Sequence, residues 1–106
     1  MKYLITESQL DKVIFKYLDN QDFVYMEYGI NGYFLNSEKD EYAQIKLNSH
    51  RCTIDRKLMT EIASFFSLDN FDSEEIIGKW VENTLKMRVV STFQTIVGSV
   101  LRIPSN

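Results

Sequence analysis

Proline occurs once, cysteine once and glycine four times in these 106 residues, and each scarcity removes a class of protein. Disordered and collagen-like chains are rich in proline and glycine and poor in apolar residues, whereas 44% of this chain is hydrophobic and 13% aromatic. It is expected to fold as one domain over residues 1–106, hiding roughly two thirds of the area its unfolded form exposes. The lone Cys52 cannot close a disulfide within the chain, so packing must hold the fold together, as it does in a reducing cytoplasm. Long apolar runs are missing too. The longest, Phe23 to Met26, is far too short to span a bilayer, and before Glu7 only Tyr3 to Ile5 is apolar, less than the core of a secretion signal. The expectation is a cytoplasmic protein with no membrane partner. Nor does one charge dominate. Fifteen acidic and twelve basic residues leave a net charge of -3, so no strong overall field advertises a polyanion.

What is present is periodic. Thr6 and Gln9 have the spacing of a capping box, with Ile5 and Leu10 as its hydrophobic staple, so a helix should begin at Glu7. Leu10, Val13, Ile14, Tyr17 and Leu18 recur every three or four residues as its apolar stripe, Phe15 sits at the edge, and Asp19-Asn20 ends the run. Phe23 to Ile30 and Tyr33 to Asn36 are aromatic and β-branched, and Asn31-Gly32 between them suits a type I′ hairpin turn. That register places Val24, Met26, Tyr28, Ile30, Tyr33 and Leu35 on one face, all apolar or aromatic, and this face is expected to be core.

Tyr42 to Leu47 alternates as a third strand, with Ala43, Ile45 and Leu47 on one side and Tyr42, Gln44 and Lys46 on the other. Cys52 and Ile54 extend or follow it, before Asp55 caps a second helix in which Leu58, Met59, Ile62, Phe65 and Phe66 share a face. Asp72 and Glu75 make another capping box, with Phe71 and Ile76 as its staple. The helix they open carries Ile76, Ile77, Trp80, Val81, Thr84 and Leu85 on its apolar side and pairs with the second. Leu85, Val89, Phe93 and Val97 would continue a helical row, but Val89 to Val97 is rich in β-branched residues, and a strand from about Arg88 to Ile96 is favoured. Gly98-Ser99 then turns into a closing segment, Val100 to Ile103, ended by Pro104. The expected fold is α+β: three or four mostly antiparallel strands packed on one face by three helices, in the order α-β-β-β-α-α-β.

Reactive groups are few. His50 and Cys52 both bind metals and act as nucleophiles, yet a zinc site needs about four ligands. A buried, inert Cys52 and a surface His50 are the plainer reading. Asp69, Asp72, Glu74 and Glu75 gather oxygen ligands without the spacing or the glycine of a calcium loop, and acids at a helix start answer the helix dipole instead. Gly29 and Gly32 serve the hairpin, since a phosphate loop needs further glycines and a following helix. No cofactor or metal is expected, and no catalytic residue can be assembled from spacing.

Two binding surfaces remain. Lys46, His50, Arg51, Arg56 and Lys57 form a basic patch broken only by Asp55, which suits nucleic acid. The element order through Phe66 is similar to that of double-stranded RNA-binding domains. Those domains, however, open their second helix with a lysine-rich, small-residue stretch, where this chain has Asp55-Arg56-Lys57-Leu58, and they lack the third helix. The outer hairpin face is the other surface, where Tyr25, Phe34 and Tyr42 are expected beside Glu27 and Lys46. Aromatics with a polar rim anchor protein contacts, so a protein partner or a second copy ranks first, nucleic acid second and an enzyme third. The opening Lys2-Tyr3-Leu4-Ile5-Thr6-Glu7-Ser8-Gln9 resembles the start of small open reading frames of tailed bacteriophages. That resemblance implies a protein made inside a bacterial host, as a virion component or a factor acting on host machinery.

Overall fold

The computed structural model describes residues 7–95 and 98–104. The fold is α+β: three helices pack on one face of a five-stranded, mostly antiparallel sheet, in the order α-β-β-β-β-α-α-β. Helix α1 runs Glu7–Asp19. Ile14 and Leu18 are its buried centre and Val13 faces solvent, so the stripe is narrower than its periodicity suggested. Ile5 and Thr6, half of the expected cap and staple, lie outside the described residues.

Strands β1 (Val24–Tyr28) and β2 (Asn31–Leu35) form the expected hairpin with a different turn. Tyr28 pairs with Asn31, so Gly29-Ile30 turns the chain, not Asn31-Gly32. Gly29 alone of the two has positive φ, +61°, as a type II′ turn requires of its first central residue. Ile30, expected in the core, is consequently 79% exposed. Gly32 is kept for another reason. A Cβ there would land on the Tyr25 ring, which lies across the bare backbone of the neighbouring strand.

The third expected strand resolves into two, β3 (Ile45–Asn48) and β4 (Arg51–Asp55), joined by Ser49-His50. Helices α2 (Arg56–Phe66) and α3 (Asn70–Leu85) then carry the chain to β5 (Ser91–Thr95), which pairs parallel with β4 and is shorter than the span expected for it. Such a parallel return needs a long crossover, and the helix pair supplies it. Asp69, not Asp72, caps α3, accepting 2.7 Å from the Asp72 amide. The expected staple residue Phe71 therefore sits inside the first turn and is exposed, as is Phe65 on α2. Ser73 Oγ, buried between the helices, donates 2.7 Å to the Met59 carbonyl. Gly78 lets α3 settle on β5, since a Cβ would meet the Thr92 methyl at 2.5 Å.

Directly paired residues project to one side of a sheet. Tyr25, Phe34, Ile45 and Ile54 are one such row, and Leu47 and Cys52 share their side. This side, not the one carrying Val24, Met26 and Tyr28, packs under the helices against Ile14, Leu18, Met59, Ile62, Ile77 and Trp80. The hairpin alone favours its greasier face, but β3 and β4 add four fully apolar side chains to the other, and the larger sum decides. Val24, Met26, Tyr28, Tyr33 and Leu35 do share a face, as their alternation indicates. A smaller cluster covers it: Ala43, Leu101 and Ile103 pack over Tyr33 and Leu35. The segment holding Leu101 and Ile103 is pinned by two backbone bonds, Ala43 to Leu101 and Ile103 to Glu41, both 2.8 Å. No described helix is long and apolar enough to cross a membrane.

Candidate functional site

The surface expected to bind a partner is not assembled. Phe34 is 2% exposed, with its ring 5.1 Å from Trp80 and 5.0 Å from Tyr25. Tyr25 is half-buried under the helices, and Glu27 stands exposed on the same side. Lys46 projects to the opposite side, its ammonium 6.0 Å from the Tyr33 ring. Tyr42 precedes β3 and bridges Arg102. Burial took the Tyr25 and Phe34 rings because they belong to the helix-packed row, whereas Tyr42 stays 45% exposed.

The structure opens the other side of β3, β4 and β5. Two rows line it: Lys46, Thr53 and Phe93, in line with the covered Tyr33 of β2, then Asn48, Arg51 and Ser91, in line with Asn31. Lys46, Asn48, Arg51, Thr53 and Phe93 surround a shallow depression of about 230 Å³. Phe93 is 47% exposed there, and the Arg51 guanidinium sits 5.7 Å from its ring. A cation over an aromatic face is attracted by the ring quadrupole, so this pair holds its own geometry while keeping part of the ring bare.

Charge is sorted between the two layers. The helices contain eight acidic and five basic residues. On the open side the strands carry Lys46 and Arg51, and the one carboxylate with that parity, Asp55, lies at the far end of β4. The basic patch is therefore divided by the fold. Lys46 and Arg51 meet on the open face, and His50 occupies the β3–β4 turn, its Nδ1 2.7 Å from the Arg88 carbonyl. Arg56 and Lys57 stand at the start of α2, about 16 Å along β4 at the usual strand rise.

Cys52 points under the helices. Burial first, and then the Glu74 carboxylate, push its thiol up to about 12, so it is no nucleophile or metal ligand near neutral pH. No group of three or more His, Cys, Asp or Glu among the described residues is placed to hold a metal ion.

Sequence reasoning missed Asn48, Thr53 and Phe93 as site residues. The alternation Ser91, Phe93, Thr95 gives Phe93 its parity, but nothing local to it announces that β5 lies beside β4, 40 residues away in register. No family model, no curated protein and no solved structure matches this chain.

Proposed function

We propose that this chain is a non-catalytic binding module that engages a single-stranded nucleic acid across the open face of β3, β4 and β5. The observation that carries the reading is the exposed Phe93 ring beside Arg51 and Lys46, on a surface whose one strand carboxylate, Asp55, stands at the far end of β4. A bare ring on a sheet offers any unpaired base a stacking platform, while flanking cations follow the backbone phosphates. The net charge of -3 belongs largely to the helical side and does not describe the field at this face. The 3-10 turn Gly98–Leu101 lies against β4 and the residues through Ile103 close the β1–β2 half of the same side, which leaves a ligand the part of β3–β5 around Lys46, Arg51 and Phe93. A duplex suits the face poorly, because its bases are already stacked and its phosphates lie on a broad cylinder.

Fluorescence anisotropy with a labelled single-stranded oligonucleotide tests the reading. Base stacking on an aromatic contributes about 1–3 kcal/mol, so Phe93→Ala should weaken binding by about five- to a hundredfold. Lys46→Ala should lower the slope of log affinity against log salt by about 0.7, one single-strand phosphate contact. Affinity that is equal for duplex and single strand, or indifferent to Phe93→Ala, contradicts the proposal. Binding by bacteriophage or host proteins, as the opening residues imply, would show instead as salt-tolerant complexes independent of Phe93.

A further inference from the structure

A second surface lies on the helical side. Leu10 and Asp11 of α1, Leu68 of the α2–α3 connection, and Asp72, Glu75, Ile76 and Lys79 of α3 enclose a groove of about 330 Å³. Its floor is apolar, from Leu10, Leu68 and Ile76, and its rim sets three carboxylates against one ammonium. Acids in the first turn of a helix are explained by the helix dipole, which accounts for Asp72. It does not account for Asp11, which comes from a different helix and is brought to the same rim. Among the described residues no ion pair or side-chain hydrogen bond engages these three carboxylates.

From this juxtaposition we infer that the groove docks a lysine- or arginine-bearing amphipathic segment of a partner protein. The chemistry is that of a long side chain with an aliphatic stem and a charged head. The stem lies on Leu10, Leu68 and Ile76, and the head reaches Asp11, Asp72 and Glu75. The volume stands at the lower end of ligand-sized pockets, enough for one or two such side chains and not for a whole helix. Phe71, one turn before Glu75 and 70% exposed, extends the apolar contact beyond the groove for neighbouring residues of the same segment. A nucleic acid is excluded here by the sign of the rim, so the two faces of the molecule select partners of opposite charge.

The test uses the full chain, isotopically labelled, and a synthetic helical peptide of leucine and lysine of about fourteen residues, four turns, with its leucine and glutamate counterpart as control. The cationic peptide should shift amide resonances of Leu10, Asp11, Leu68, Glu75 and Ile76, and the anionic one should not. Asp11→Lys combined with Glu75→Lys should weaken binding by about tenfold or more through like-charge contact. Glu75→Lys alone, a change at an exposed site, gives the same direction should the double variant not fold. Shifts confined to other surfaces, equal response to both peptides, or affinity unchanged by Glu75→Lys would overturn the inference.

Discussion

Phe34 and Phe93 are the residues on which the two possible cores differ. Phe34 sits among Trp80, Phe23 and Tyr25, so Phe34→Ala should cost about 3–5 kcal/mol, the usual range for a buried ring. Phe93→Ala, on the open face, should cost under about 1 kcal/mol. Urea unfolding of the two variants measures the difference directly, and equal losses would return the helices to the wrong side of the sheet. Cys52 gives a second residue-scale outcome. Its thiol is raised from 9.0 to about 12, chiefly by burial, so the folded state holds a proton that the unfolded chain gives up. Stability is full below about pH 9 and declines as pH climbs toward 12, by about 1.4 kcal/mol per unit at the steepest. Tyr17 and Tyr25, raised first by burial and then by Glu61 and Glu27 respectively, act in the same direction. Cys52→Ala should flatten part of this alkaline decline in urea titrations at pH 8 to about 11, on top of a pH-independent loss of about 0.5–1.5 kcal/mol for the sulfur removed from the core.

Elements show where local pattern was sufficient and where it was not. The 3.6-residue period located all three helices, because an amphipathic stripe is a property of one segment. The alternation of Val24 to Tyr28 and of Tyr33 and Leu35 gave the correct side-sharing. The turn was placed two residues late, since Asn31-Gly32 and Gly29-Ile30 both contain a glycine and only the Tyr25 ring over Gly32 distinguishes them. Asp72 competed with Asp69 as the cap of α3 for a similar reason: both precede an acidic residue by three positions. Helix ends also carry a measurable strain. Lys86 closes α3 at φ 55°, a conformation that costs a non-glycine residue roughly 1–2 kcal/mol. Lys86→Gly should therefore raise stability by up to about 1 kcal/mol, net of the greater freedom glycine has when unfolded. A loss on thermal unfolding would mean that the αL cap is not adopted.

The whole molecule decides what no segment can. Fold class was legible because four β-rich and three helical segments, taken one at a time, already specify α+β, although the sheet has five strands. The choice of core face was not, because it depends on the sum of side chains over four strands, and β4 was not separated from β3 by its residues alone. The candidate site was half legible: Lys46 and Arg51 stood in the basic patch, and Phe93 joined them only through the parallel pairing across α2 and α3. With an acidic excess on the helices and Lys46 and Arg51 on the open strands, the molecule presents two unlike surfaces, and its net charge describes neither.

The central claim is that the open β3–β5 face is where a ligand sits. Amide resonances of the labelled chain, followed as a single-stranded oligonucleotide is added, report the contact surface directly. The account predicts that the perturbed residues are Lys46, Asn48, Arg51, Thr53 and Phe93, while α1 and α3 stay unchanged. Perturbations on the helical side, or none at oligonucleotide concentrations that saturate other single-strand binders, would contradict it.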